Sequence, residues 1–364
     1  MKRSITALSI VSFALLIMTG CKKDDNKVTT PTYDIPTTYN FANANYADAT
    51  TRLGMYTEIS NLMKNALTGT FDAVTAKAML NNTGAPFANA AYNTSGLQLR
   101  DQFAPAFKQD ALDFIDSLAK ASAAYPTVAS KGVAGVGASS ANVASKYALT
   151  GAGFNYAQVF NKGLMGGLVT YQIVTTMDAV ANQTIDNITI VNGETAMEHA
   201  WDMAFGYWGV PTDFPANKTN PKPVLWGSYT TQVDSGYKAN KILMDAFLKG
   251  RAAISAKDKS TFVEQAKIII AAFEKLHGAG ALQEVKEAKE SISDKILLNS
   301  RLSEMYGFVY SIKYNPKRVT TDAQYNTLLS GFPANFYDMT STQLDALRDA
   351  IAAQYGFESV KDVL

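Results

Sequence analysis

Apolar side chains recur every three or four residues along most of the chain beyond residue 51, which places them on one face of an α-helix. Segments with this pattern are 53–67, 103–118, 154–181, 194–208, 236–247, 262–276, 296–314 and 341–353. In 296–314 the apolar positions alternate by four and three residues, as in the seam of a bundle helix. We therefore predict an all-α fold, with a helical bundle domain over residues 52–364 built from two packed bundle halves.

Glycines mark two places in this pattern. Gly163, Gly166 and Gly167 fall inside the predicted helix 154–181, where each costs about 1 kcal/mol relative to alanine, so we expect another helix to approach closely there. The glycine-rich stretch 131–143 lies between helical segments and not between a strand and a helix, so we predict a flexible connection and no phosphate-binding loop.

Strand-like alternation is confined to residues 186–191. Ile188 and Ile190 alternate there with polar residues, and Asn192-Gly193 follows as a turn signal. We expect a short strand or hairpin arm at this point and no larger sheet.

The N-terminus has the pattern of an exported lipoprotein. Two basic residues precede an apolar run over 5–18, too short to span a bilayer comfortably. The ending Met18-Thr19-Gly20-Cys21 resembles the lipobox of bacterial lipoproteins, in which the cysteine is acylated; an ordinary signal peptide with an incidental cysteine is the alternative. We therefore predict a signal peptide over 1–20, lipidation at Cys21 and a flexible tether over 21–51, whose part around Tyr39 is the candidate for a first contact with the domain.

The charged residues after Cys21 and the cysteine content indicate the cellular location of the protein. Lys22-Lys23-Asp24-Asp25 resembles the export signal of surface lipoproteins of the Bacteroidetes type, although a solvated charged tether has the same composition. We expect an outer-membrane protein, lipid-anchored and facing the cell surface. Cys21 is the only cysteine, so an exported domain must rely on its apolar core and not on disulfides. The 33 basic and 32 acidic residues form no basic stripe, which argues against nucleic-acid binding.

The stretch TAMEHAWDMAFGYWGVP, residues 195–211, holds the densest chemistry. On a helical wheel Met197, Trp201, Ala204 and Trp208 share the buried face. Glu198 and Asp202 lie one turn apart beside this face, and His199 lies further out.

Two carboxylates one turn apart repel each other unless a positive charge or solvent relieves them. A bound cation, a Lys or Arg from a neighbouring helix, and water are the three alternatives. Hard cations prefer oxygen ligands, and bundle cores hold carboxylate metal sites. We predict a metal site with iron or calcium from Glu198, His199, Asp202 and Glu304, with Glu304 facing the pair across the bundle; an ion pair with Arg301 is the simpler role for Glu304.

The second histidine, His277, precedes Gly278. A histidine in the last turn of a helix that ends at a glycine interacts favourably with the helix dipole. We interpret it as a structural residue.

Three segments carry a family resemblance: FNYAQVFNKGLMGGLVTYQ, MEHAWDMAFGYWGVP and LSEMYGFVYSIKYNP. Behind a lipobox, they resemble the domain-of-unknown-function family 4856, lipoproteins of Bacteroidetes-type bacteria, from about Tyr39 to the C-terminus. More distantly, His199-Ala200-Trp201-Asp202 is similar to the His-x-x-Glu signature of imelysin-like proteins, which are two-bundle exported proteins linked to iron uptake and once classed as peptidases. That resemblance implies a site at His199 and Asp202, with Asp in place of Glu.

These patterns support three hypotheses of function. The first is a surface lipoprotein, not an enzyme, that binds a metal ion or a small ligand in iron uptake. The alternative is a structural or interaction module that partners an outer-membrane transporter. The third, an imelysin-type peptidase, lacks a recognisable nucleophile–base pair or zinc motif.

Overall fold

The computed structural model describes residues 32–364, and helices account for most of them. The predicted signal peptide, Cys21 and the first part of the tether lie outside the described residues. The all-α prediction is confirmed. The α-helices are α1 Ala47–Met63, α2 Ala73–Asn81, α3 Ala90–Asn93, α4 Phe107–Ser122, α5 Tyr156–Leu164, α6 Tyr171–Ala181, α7 Ala196–Trp208, α8 Trp226–Gln232, α9 Asp234–Tyr237, α10 Ala239–Ser255, α11 Lys259–Glu290, α12 Lys295–Ser311, α13 Asp322–Ser330 and α14 Ser341–Tyr355.

The longest helix, α11, forms the centre of the fold. It packs against α6, α10, α12 and α14, while α7 lies between α1, α6 and α10. The longer helices turn their apolar faces towards one continuous core, in which the side chains of Trp201, Trp208 and Trp226 are fully buried. From Tyr33 to Leu364 the chain forms one compact unit; its division into two halves stays a prediction.

The glycines of the predicted helix 154–181 allow close packing, as expected. Helices α5 and α6 are joined by a π-helical turn, Met165–Thr170. A Cβ atom on Gly166 would lie 2.5 Å from Ser311, and one on Gly167 would lie 2.2 Å from the Phe107 ring. The wide π turn also leaves the Met165 carbonyl able to accept a hydrogen bond of 2.9 Å from Trp226 Nε1.

His277 does not lie at a helix end, so that part of its interpretation is wrong. Helix α11 continues through Gly278 to Glu290. A Cβ atom on Gly278 would lie 2.2 Å from the Tyr355 ring, so the glycine serves helix packing and not capping. The His277 ring is buried against Trp226 and bonds through Nδ1 to the Phe273 carbonyl at 2.9 Å; burial lowers its pKa.

Two short hairpins interrupt the helices of the described region. Strand β1, Gly135–Ala138, lies within the stretch 131–143 predicted as a flexible connection and pairs with β2, Lys146–Leu149, which follows that stretch. That prediction is wrong because the glycines allow close packing, with a Cβ atom on Gly137 2.4 Å from Ile296. Strand β3, Ile190–Val191, pairs with β4, Glu194–Thr195, as the alternation in 186–191 predicted.

The segment before α1 is packed on the domain. Tyr39 is buried, stacks on Phe205 with ring centroids 3.6 Å apart, and donates its backbone N–H to the Thr212 carbonyl at 2.7 Å. The chain therefore contacts the helices well before Ala47, where α1 begins.

Candidate functional site

Helix α7 has the orientation that the helical wheel predicted. It begins with a capping box, in which the Glu198 N–H donates to Thr195 Oγ1 and the Thr195 N–H donates to Glu198 Oε2. It ends at Gly209, whose φ of 79° suits a glycine C-terminal cap. Trp201 and Trp208 are buried, as predicted, and the His199 side chain is 46% exposed.

An arginine of the neighbouring helix relieves the carboxylate pair. Arg251 of α10 donates from Nε to Asp202 Oδ1 at 2.8 Å and from Nη1 to Glu198 Oε1 at 2.9 Å. Ser255 adds a hydroxyl donor to Glu198 at 2.6 Å. Of the three alternatives for relieving the repulsion, the structure has the neighbouring-helix cation.

The same arginine fastens the N-terminal segment to the domain. Arg251 Nη2 donates to Asn43 Oδ1 at 3.0 Å, and its guanidinium lies 5.1 Å from the centre of the Phe41 ring. Tyr39 donates its hydroxyl to Asp202 Oδ1 at 2.7 Å. We call Arg251, Glu198, Asp202 and Tyr39 the arginine cluster; its contacts are those of a structural clamp.

The pKa shifts of Arg251 and Glu198 agree with a charged pair, whereas burial raises the pKa of Asp202 in spite of the neighbouring Arg251. Burial opposes the charge on Arg251, yet the carboxylates of Asp202 and Glu198 raise its pKa. Burial likewise opposes the charge on Glu198, but the Ser255 hydroxyl, the Thr195 N–H and Arg251 lower its pKa. Glu198 is therefore ionised at neutral pH, and its carboxylate oxygens are hydrogen-bonded within the protein.

Glu304 belongs to a different cluster. Its Oε2 lies 2.8 Å from Lys162 Nζ of α5, and Arg301 lies 3.3 Å from its Oε1. Tyr229 Oη lies 3.0 Å from both Glu304 Oε2 and Glu284 Oε1. We call these five residues the glutamate cluster; within the described region its hydrogen bonds and ion pairs link it to no residue of the arginine cluster.

The predicted four-ligand metal site therefore does not form in the described part of the chain. Glu198 and Asp202 come together on Arg251, whereas Glu304 is paired with Lys162 and His199 points to the surface. Among residues 32–364, no group of three or more His, Cys, Asp or Glu side chains is arranged to hold a metal ion. The physical reason is that each of the three carboxylates already has a protein cation beside it.

Burial makes the two carboxylates of the glutamate cluster unequal. Glu284 is almost fully buried, and burial together with the charge of Glu304 raises its pKa well above the usual range. Burial acts the same way on Glu304, but Lys162, Arg301 and the Tyr229 hydroxyl together outweigh it and lower the pKa. Burial therefore favours the protonated form of Glu284, whereas Lys162 favours the ionised form of Glu304.

His199 lies in a surface pocket at the start of α7. Its Nδ1 is 3.0 Å from Glu194 Oε1, while Glu194 Oε2 is buried without a hydrogen-bond partner among the described residues. The pocket has a volume of about 530 Å³. It is lined by Asn43, Asn45, Asp186, Thr189, Val191, Asn192, Glu194, Thr195, Ala196 and His199. We call it the α7 pocket.

The sequence reasoning missed Arg251, Glu284, Tyr229 and Glu194. Only Arg251 has a local signal, because it is a charged residue between Gly250 and two alanines in the buried part of α10. Gly250 lets α10 approach α7, since a Cβ atom there would lie 2.1 Å from the Trp201 ring. The other three have ordinary helix and turn contexts, so only the tertiary structure singles them out.

Residues 32–364 thus form a helical domain in which the arginine cluster and the glutamate cluster are buried and the polar α7 pocket lies at the surface. The chain belongs to the family described as Domain of unknown function (DUF4856), whose model matches residues 36–358. No curated protein and no solved structure is significantly similar to the chain. The distant resemblance to imelysin-like proteins stays a prediction. Across residues 32–364, no helix has both the length and the apolar character needed to cross a membrane.

Proposed function

We propose that this protein is a surface-exposed lipoprotein of the outer membrane, anchored through Cys21, that binds a small polar ligand in the α7 pocket. The observation that carries the ligand proposal is Glu194 Oε2, an acceptor oxygen buried in the pocket wall without a partner among the described residues. A buried carboxylate oxygen left unpaired costs about 1–3 kcal/mol or more, and a ligand that donates a hydrogen bond would recover it.

The lining of the pocket indicates the class of ligand. Amides of Asn45 and Asn192 and the hydroxyl of Thr189 supply both donors and acceptors, as recognition of a hydroxylated molecule requires. Two carboxylates and one imidazole give the wall a negative balance, which favours neutral or cationic ligands over anions. A sugar or amino sugar fits this chemistry, and the volume accommodates one or two sugar rings.

Among residues 32–364, no group of three or more His, Cys, Asp or Glu side chains is arranged to hold a metal ion, so we propose an organic ligand. The role in iron uptake stays a prediction from the resemblance to imelysin-like proteins, and the partnership with an outer-membrane transporter stays the alternative hypothesis. The lipid anchor is supported by the lipobox at 18–21, by the position of the only cysteine and by the charged residues after it.

A thermal-shift series on the soluble domain tests the ligand. We would add glucose, galactose, N-acetylglucosamine and glucosamine, with calcium and ferrous ions in parallel, to the wild type, Glu194→Gln and His199→Gln. A ligand that binds only the native state raises Tm. We expect an increase with a sugar, lost in Glu194→Gln and retained in the control Glu264→Gln, whose side chain is exposed on α11. An increase with a metal ion alone would contradict the proposal.

Labelling with a radioactive fatty acid tests the anchor. The wild-type chain should incorporate label and float with membranes, whereas Cys21→Ser should do neither. Protease added to whole cells should digest the wild-type domain if it faces outward. A labelled chain that resists protease until the cells are broken would place the anchor on the inner side.

A further inference from the structure

Apolar side chains are concentrated on the hairpin of β3 and β4. Ile188, Ile190 and Val191 are 86%, 70% and 62% exposed. Single exposed apolar residues are common on protein surfaces, but three within four residues form a local patch. Residues 187–193 carry no charged side chain, so the patch can leave water without burying a charge.

The hairpin is held firmly against the turn between α10 and α11. Asn187 donates from Nδ2 to the Ile254 carbonyl at 3.0 Å, and Lys257 Nζ donates to Asn187 Oδ1 at 3.0 Å. On the other side, Asn43 donates to the Gly193 carbonyl at 2.7 Å. Asn192 and Gly193 both have positive φ, as in the tight turns that match strand twist. The apolar side chains are therefore displayed on a fixed element.

The N-terminal end of the folded unit lies at the same turn. Tyr33 donates its hydroxyl to Asp258 Oδ2 at 3.0 Å, and Asp258 is the N-cap of α11. Asp258 directly follows Lys257, which holds the hairpin. Ile35, two residues after Tyr33, is 47% exposed and adds to the apolar character of this end.

We propose that the β3–β4 hairpin rests on the lipid surface of the membrane in which the protein is anchored, with Ile188, Ile190 and Val191 in the interface. The proposal depends on the lipid anchor at Cys21. Acyl chains supply the affinity, and the hairpin supplies a second contact that fixes the orientation of the domain. The α7 pocket, which shares Thr189, Val191 and Asn192 with the hairpin, then opens near the lipid headgroups.

A second set of exposed apolar side chains lies at the opposite end of α11. Val143 is 73% exposed and belongs to the β1–β2 loop, which binds Asp294 just beyond the end of α11 through the N–H groups of Ser140 and Ala141. Helix α11 has 32 residues and is about 48 Å long. The 12 residues from Cys21 to Tyr33 reach at most about 43 Å. A domain standing on the Val143 end would hold Tyr33 beyond that reach.

Site-specific fluorescence on the full-length, lipidated protein tests this orientation. Because Cys21 is the only cysteine and is acylated in the proposal, a cysteine introduced by Ile190→Cys or Val143→Cys takes a thiol-reactive nitrobenzoxadiazole label alone. Both positions are exposed valine or isoleucine sites, so the two variants form a matched pair. Each is reconstituted into phosphatidylcholine vesicles, and flotation of the vesicles reports anchoring separately.

We expect both variants to float, the Ile190 label to shift to shorter wavelength and be quenched by spin-labelled lipid, and the Val143 label to stay unchanged. Flotation with two unchanged labels would overturn the hairpin contact and leave the anchor intact. A shift at Val143 and not at Ile190 would reverse the orientation and overturn the proposal. Loss of flotation would remove the anchor and the hairpin contact together. Shielding of the Ile190 label by added envelope protein, with no effect of lipid, would make the patch a protein-docking surface and also overturn it.

Discussion

Arg251 Nε donates to Asp202 Oδ1 at 2.8 Å, and both side chains are 0% exposed although 49 residues separate them. Through Arg251, the acidic pair of α7 is linked both to α10 and to the segment before α1. Removing two charges from water is costly, and their attraction offsets that cost only when every donor is used. Each nitrogen of the Arg251 guanidinium donates a hydrogen bond here.

Arg251→Met should lower the free energy of unfolding by about 3–5 kcal/mol, because it leaves Asp202 buried without its cation. Urea unfolding followed by circular dichroism measures this. Lys249→Met on the same helix is the control and should change stability by less than about 0.5 kcal/mol, since Lys249 is exposed and 3.7 Å from its partner Glu264. Adding Asp202→Leu to Arg251→Met should recover part of the loss; a double variant less stable than the single one would argue against this account.

Tyr39→Phe should cost about 1–2 kcal/mol, because it removes a hydroxyl donor to the buried carboxylate of Asp202 and keeps the ring stacked on Phe205. Tyr33→Phe is the comparison, since its bond to Asp258 is only partly buried, and it should cost less than Tyr39→Phe. Equal losses in the two variants, measured by urea unfolding, would mean that the arginine cluster does not depend on the Tyr39 hydroxyl.

Gly278→Ala should destabilise the protein by about 1–3 kcal/mol, although alanine favours a helix by about 1 kcal/mol over glycine. A Cβ atom at this position would lie 2.2 Å from the Tyr355 ring, whereas at Gly280 it would lie 3.1 Å from the Phe308 ring. Gly280→Ala should therefore cost less. Thermal unfolding of the two variants measures both losses of stability. A larger loss for Gly280→Ala than for Gly278→Ala would contradict the packing of α14 on α11.

The part of the site that the sequence predicted is the part that one helix determines. The period of 3.6 residues orients Trp201 and Trp208 inward and His199 outward whatever surrounds the helix. Thr195 and Glu198 likewise have the spacing of a capping box, a local feature that the sequence shows.

The charge partners of the site residues and the role of Gly278 depend on contacts between segments that are distant in the sequence. Nothing near Glu198 reveals that Arg251 is its partner, and nothing near Glu304 reveals Lys162. Gly278 after His277 has the same local pattern as a helix end, and only the ring of Tyr355 on the neighbouring helix shows why the glycine is there. Which group neutralises a carboxylate, and whether a glycine caps or packs a helix, are tertiary properties. A single helical wheel therefore cannot decide either question.

The same substitution, Glu to Gln, should have unequal effects on stability at Glu284 and at Glu304. Tyr229 Oη lies 3.0 Å from both carboxyl groups but carries one proton, so a proton on one carboxyl group supplies the second hydrogen bond. The raised pKa of Glu284 favours Glu284 as this donor. Glu284→Gln keeps a donor at this place and should change stability by less than about 1 kcal/mol at pH 7. Glu304→Gln leaves Lys162 buried without its carboxylate and should cost about 3 kcal/mol.

The pH dependence separates the two residues further. The pKa of Glu284 is raised in the folded state, so its contribution is complete below its unfolded pKa, about 4.3, and is lost as the pH rises towards the folded value. Glu284→Gln should therefore flatten the fall in stability on the alkaline side of that pKa. The pKa of Glu304 is lowered, so its contribution is present above the unfolded pKa and is lost as the pH falls through the folded value. Urea unfolding between pH 4 and 9 measures both slopes, and equal effects of the two substitutions would show that the carboxyl groups share the proton evenly.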